Sequence, residues 1–188
     1  PAMGPDGDLL LAEENGTLTA LSPYGIPRWS YQAATSLTGT PVVDNQCTVY
    51  LVTKGETNDP STLIAVRPLG FERFRVTLPG IASVDPILVA TGGVYTAATT
   101  EGTTTIWRIT ENGTVVSLGE SASPTSWVVD GSGKILMADI HGRLSARNEP
   151  GAILWELDVG SAVTGSLALP GDGGVLLGTE DGRLIRVE

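Results

Sequence analysis

The chain has 188 residues, 41% hydrophobic and 17% charged, with 24 glycines and 12 prolines; that apolar content excludes a disordered chain, and the glycine and proline load argues against long helices. A formal net charge of −10, from 21 acidic and 11 basic side chains, repels phosphate backbones, so nucleic acid is not expected as a partner. No stretch approaches the roughly 20 apolar residues of a transmembrane helix, and the single cysteine, Cys47, permits no internal disulfide.

The opening Pro1-Ala-Met-Gly-Pro-Asp-Gly-Asp8 aligns with Leu167-Ala-Leu-Pro-Gly-Asp-Gly-Gly174 near the other end, which places the start of the chain at the end of a strand. Leu9-Leu-Leu-Ala12 then leads through Glu13-Glu-Asn-Gly16 into Thr17-Leu-Thr-Ala-Leu21, a hairpin whose Asn-Gly turn supplies positive φ at its centre. Ala20-Leu-Ser-Pro-Tyr-Gly25-Ile-Pro-Arg-Trp29 reads as a turn at Gly25 followed by a strand that packs the Trp29 ring inward. Small residues over 33–38 connect to the next apolar run, Pro41-Val-Val43.

The same order then recurs. Cys47-Thr-Val-Tyr-Leu-Val52 is an apolar run in which Cys47 is expected to be a small buried hydrophobe. Its hairpin is lengthened by Lys54-Gly-Glu-Thr-Asn-Asp-Pro-Ser61, a surface insertion, and Ala65, Gly70 and Phe74 repeat Ala20, Gly25 and Trp29. In the third unit a connection over 80–83 leads to Ile87-Leu-Val89; of the later pattern only Gly113 is kept, with Arg108 and Ser117 in the other two places. The fourth unit runs from a connection over 121–126 through Trp127-Val-Val129 and the turn Asp139-Ile-His-Gly142 to Ala146, Gly151 and Trp155. The fifth follows a connection over 160–164, with Leu167-Ala-Leu169, the turn Glu180-Asp-Gly182 and a last strand over 183–187.

A repeat of roughly 40 to 45 residues marks stacked supersecondary units. Four short antiparallel strands per unit, the first nearest an axis and the fourth outermost, describe an all-β fold, a β-propeller of about 4.5 blades. A parallel β-helix has much shorter coils. The unit boundaries fall near 1–37, 38–82, 83–122, 123–162 and 163–188. Bare blade faces at both ends are a hazard, so these residues are expected to be a piece of a propeller of six to eight blades, with the remaining blades in the same or another chain; a five-bladed ring closed by the two partial units is second.

The pattern of apolar strand, Asp/Asn-Gly, Leu-x-Ala and Gly-x-x-x-Trp resembles the pyrroloquinoline-quinone-like repeat family of bacterial β-propellers. The resemblance spans nearly the whole chain and implies that the Trp of one blade docks on a neighbouring blade, with Ala20, Gly25, Trp29 and Ala146, Gly151, Trp155 matching, and Ala65, Gly70, Phe74 matching with a changed ring. Ala and Gly stand one residue closer here than in the quinoprotein dehydrogenases. The family further implies an extracytoplasmic setting, periplasmic or cell-surface, and a scaffold that binds protein or carbohydrate, as in propeller lipoproteins of outer-membrane protein assembly. It also raises the alternative of a quinone-dependent dehydrogenase, with an axial cofactor, a calcium ion and often a vicinal cysteine pair. One cysteine and no dense acidic or amide constellation argue against that enzyme, so no catalytic residue, cofactor or metal is expected within these residues.

Most apparent sites coincide with periodic turns. Asp130-Gly-Ser-Gly133 and Pro170-Gly-Asp-Gly-Gly174 lack the further oxygen ligands of a calcium loop, His141 stands where Asn15 and Asp181 stand in other units, and the glycosylation-like Asn15-Gly-Thr17 and Asn112-Gly-Thr114 are turns as well. The better ligand-binding candidates are the connections into the innermost strands, which crowd one mouth of a propeller channel: Thr38, Thr40, Ser83, Asp85, Ser123, Ser126, Thr164 and Ser166. Asp85 is the sole carboxylate among them. Trp107 and Trp127 are further departures from the repeat.

Overall fold

The computed structural model describes residues 1–56, 59–149, 151–171 and 173–188. The first sheet holds β1 (Ala2–Met3), β2 (Leu9–Ala12), β3 (Thr17–Leu21) and β4 (Pro27–Gln32), adjacent in that order. The second holds β5 (Leu37–Val43), β6 (Val49–Thr53), β7 (Thr62–Arg67) and β8 (Phe71–Thr77). In the third, β9 (Ile81–Ala82) and β10 (Ile87–Leu88) both pair with β11 (Val94–Thr100), followed by β12 (Thr103–Ile109) and β13 (Val115–Ser121). The fourth holds β14 (Pro124–Val129), β15 (Ile135–Asp139), β16 (Arg143–Arg147) and β17 (Ile153–Asp158), and the fifth β18 (Val163–Ala168), β19 (Val175–Thr179) and β20 (Leu184–Val187). Among the described residues all pairings are antiparallel, and one 3-10 turn, Pro68–Gly70, interrupts the strands.

The apolar runs are continuous because each central strand is covered on both faces. Along β6, Val49 and Leu51 join a cluster with Leu10, Leu18 and Leu37 toward the first sheet, while Tyr50 and Val52 join Leu78, Val94 and Ile109 toward the third. Two further clusters fill the later junctions, one around Tyr95, Ile106, Trp127 and Met137, the other around Leu136, Leu144, Val163 and Leu177. The core is thus four slabs between five sheets stacked face to face. The end sheets have one covered face each: Leu10 is buried while Leu9 is exposed, and in β19 only alternate residues are fully buried.

The turns between the second and third strands of the first and fourth sheets hold positive φ at Gly16 and Gly142 but not at Asn15 or His141. Gly16 N–H donates to Glu13 O at 3.0 Å and Thr17 N–H to Asn15 Oδ1 at 2.8 Å, so the side chain closes a turn in which the glycine alone needs the left-handed region. Two adjacent residues with positive φ occur at Glu101 and Gly102. Cys47 departs from expectation: it is only partly buried, lies in the turn before β6, and has φ 58. Its N–H donates to Asp44 O at 3.0 Å, as Gly133 N–H does to Asp130 O, so Cys47 fills a place that glycine holds in other blades. Burial, with Asp6 and Asp44 nearby, raises its thiol pKa, which disfavours the thiolate.

The junctions between sheets follow the repeat. A Cβ on Gly70 would lie 3.3 Å from Trp29 Cε3, and one on Gly113 would lie 3.1 Å from Phe74 Cδ2; each ring of one sheet rests on the glycine turn of the next. Outside the first of these junctions Glu72 accepts from the Tyr31 hydroxyl and from Arg75, and burial together with Glu72 pushes Tyr31 up to about 12. Ser117 provides no ring at the next junction, where Gly151 packs on the Leu118 carbonyl, and charge joins the third and fourth sheets instead. Arg108 pairs with Glu149 at 3.1 Å and donates to Thr91 Oγ1 at 2.9 Å, while the buried Arg147 donates to Glu120 O at 3.1 Å.

Candidate functional site

Five of the eight hydroxyl and carboxylate candidates lie within first strands rather than in the connections, and three lie between strands. Thr38 and Thr40 are within β5, Ser126 within β14, and Thr164 and Ser166 within β18; Ser83 and Asp85 separate β9 from β10, and Ser123 directly precedes β14. The first strands of the second to fifth sheets widen at these residues. Thr38 faces Val52 but Val42 faces Tyr50, and Thr164 faces Gly178 but Ala168 faces Leu176, so three residues oppose one in both places. Between Ala82 and Ile87 four residues oppose two, and Thr125 is extra between Pro124 and Ser126. Such bulges turn side chains away from the ladder, and small residues with glycine tolerate them.

The bulges gather five of the eight candidates. A cavity of about 360 Å³ is lined by Ser83, Val84, Asp85 and Ile87 of the third sheet, Thr125, Ser126 and Trp127 of the fourth, and Ser166 of the fifth. A smaller one of about 90 Å³ shares Ser83 and Asp85 and adds Thr38. Thr40 and Thr164 are exposed and line neither cavity. Ser123 faces another way: its hydroxyl lies 3.1 Å from Thr104 Oγ1, inside the junction between the third and fourth sheets.

Trp127 binds the walls together. Its ring is buried between the third and fourth sheets, and its indole N–H donates to Asp85 O at 3.0 Å. Leu167 N–H donates to Ser126 Oγ at 2.9 Å and joins the fourth sheet to the fifth. Asp85 lies against Gly39, where an added Cβ would overlap its carboxylate oxygen, and Gly39 has φ 69. The composition of the connections points to the hydroxyls and to Asp85, whereas Thr125, Gly39 and the clamp from Trp127 depend on contacts across sheets. The break in the repeat at Trp127 is the one sequence signal for that clamp.

A larger recess, about 540 Å³, lies between the turns after β5, β10 and β14 and carries Asp44, Glu111 and Asp130. Two of these carboxylates are engaged in their own turns. Asp44 Oδ1 accepts from Gln46 and Thr48 N–H at 2.9 and 2.8 Å, and Asp130 Oδ1 accepts from Ser132 and Lys134 N–H at 2.8 and 2.9 Å. Burial opposes ionisation of Asp130, but those bonds outweigh it and lower its pKa. His141 is exposed, and its N–H donates to Asp139 Oδ1 at 2.8 Å, again a turn. Among the described residues no cluster of three or more His, Cys, Asp or Glu is placed to hold a metal, and no helix is long and apolar enough to cross a membrane. The insertion over 54–61 includes Thr57 and Asn58, and the turn over 170–174 includes Asp172; these three positions lie outside the described residues.

Consecutive antiparallel sheets, stacked face to face and bringing their first strands to a common recess, define a β-propeller. Among solved structures the chain is similar to BamB from Moraxella catarrhalis, with 18% identity and a TM-score of 0.70 over 96% of this chain and 54% of that one. It is likewise similar to the WD40 β-propeller domain of Doa1, at 16% identity and TM-score 0.72, covering 100% of this chain and 63% of that one. A functionally unknown protein from Desulfotomaculum acetoxidans DSM 771 shares 14% identity at TM-score 0.72, over 100% and 68% of the two chains. The likeness is one of fold. The chain spans 54% and 63% of the first two, and neither a protein-family model nor a curated protein matches it.

Proposed function

We propose that the chain is part of a non-catalytic binding scaffold of the pyrroloquinoline-quinone-like repeat kind, whose protein or carbohydrate partner seats on the recess formed by the bulged first strands. The observation that carries this reading is the convergence of Thr38, Ser83, Asp85, Ser126 and Ser166, from four sheets, on two adjoining cavities. Pockets with a few converging polar groups on a rigid frame are what ligand recognition requires. The half-covered faces of the first and fifth sheets, with Met3, Leu9, Tyr24 and Leu184 exposed, support a ring completed by further blades, and the resemblance supports an extracytoplasmic, bacterial setting.

The test places a bulky side chain in the recess of the intact protein. Ser166→Trp is expected to abolish binding of a partner found by glycan array or cross-linking, while Ala152→Trp, on an exposed outer turn, leaves it unchanged. A partner that binds both variants equally would refute the location. Reduction of an artificial dye after addition of the quinone and calcium would refute the non-catalytic reading in favour of a dehydrogenase.

A further inference from the structure

We infer that the recess receives a cationic side chain, an arginine or lysine projecting from a basic segment of a protein partner, and that Asp85 is its anchor. This inference rests on the recess being the binding site. Among the described residues Asp85 is the only charged side chain lining the two cavities, and its exposed carboxylate has no hydrogen bond or ion pair. Its backbone is nevertheless held on both sides. Trp127 clamps its carbonyl at 3.0 Å, the following Pro86 is buried, and its carboxylate rests on Gly39, where only the absence of a Cβ leaves room. A carboxylate positioned without a partner binds a cation without first breaking an ion pair or ordering a loop.

The hydroxyls decide which ligand fits. Ser83 Oγ donates to Ala97 O and Thr125 Oγ1 donates to Ala138 O, each at 3.4 Å. Together with Asp85 these two hydroxyls place acceptors on one side of the recess, which matches a group that only donates, while Ser126, whose Oγ accepts from Leu167 N–H, keeps its own proton. Ammonium and guanidinium are the side chains of that kind, and the guanidinium fork also allows bidentate pairing with a carboxylate. A sugar hydroxyl carries no charge to pair with Asp85. In the larger acidic recess Asp44 and Asp130 are engaged by their own turns, which leaves Glu111 as the carboxylate there.

The experiment follows 15N-labelled intact protein by NMR while N-acetylargininamide is added, with N-acetylcitrullinamide as the uncharged isostere. The expected result is a shift of the Trp127 indole resonance and of the Asp85, Gly39 and Ser126 amides with the arginine derivative. Asp85→Asn should weaken it about tenfold, the range of a hydrogen bond to a charged group, and salt near 0.5 M should weaken it as well. Equal shifts with citrulline, or shifts at these positions with a chitin oligosaccharide but not with arginine, would overturn the cation while leaving the recess as the binding site. Shifts confined to other surfaces, or none, would overturn the cation, and the Ser166→Trp comparison then decides separately whether the recess binds anything.

Discussion

Gly113→Ala tests whether the blades are held by a ring seated on a glycine turn. The substitution adds a Cβ at φ 80 and 3.1 Å from Phe74 Cδ2, so two costs arise. An L-residue in the left-handed region costs about 1–2 kcal/mol. Displacing a packed ring adds about 1–3 kcal/mol, because Phe74 also meets Tyr50, with ring centroids 6.4 Å apart. Gly133→Ala separates the two: its φ is 85 in a turn with the same N–H to carbonyl closure, yet no heavy atom lies within 4 Å of the added Cβ. Urea unfolding of the intact protein should give a loss of about 1–2 kcal/mol for Gly133→Ala and about 2–5 kcal/mol for Gly113→Ala. The excess should vanish when Gly113→Ala is introduced into Phe74→Ala. Equal losses for the two glycines, or an excess that survives removal of the ring, would refute the seat.

Arg147 is buried where Leu21 and Val66 stand in other blades, and its Nε lacks a partner. Arg147→Leu should leave stability unchanged or raise it by about 1 kcal/mol in urea unfolding, since a desolvated charge is replaced by packing. Cys47→Gly should raise the unfolding free energy by about 0.5–1 kcal/mol in urea, as relief of the φ 58 strain exceeds the entropy that glycine adds to the unfolded chain. Trp127→Phe removes the bond to Asp85 O and should lower stability by about 1 kcal/mol, with faster amide exchange along β10 and β14. Glu72, held low chiefly by Arg75, and Asp130, held low by Ser132 and Lys134 against the effect of burial, both have folded pKa values below their unfolded ones. Their contribution is therefore complete above about pH 5 and lost as pH falls through the folded values; the unfolding midpoint of Glu72→Gln combined with Asp130→Asn should fall less between pH 5 and pH 3.

Much of this architecture is decided by neighbours in sequence. Asn15-Gly16 and Asp139 to Gly142 make turns because a glycine reaches positive φ and an Asx side chain closes onto nearby N–H groups. Val49 to Val52 form a strand because both faces of a stacked sheet are apolar, and the return of this order along the chain specifies a propeller. Cys47 shows the limit, for an apolar residue beside an apolar run reads as strand, while its φ follows from the closure of the turn onto Asp44. Only the tertiary structure decided which hydroxyls meet. Ser123 and Ser126 are three residues apart and equivalent as composition, yet the bulge at Thr125 sends one to Thr104 and the other to the recess. Asp85 likewise owes its position to Gly39 and Trp127, each more than forty residues away. Local backbone preference is written in adjacent residues, whereas register and bulges are settled by what each strand face must cover.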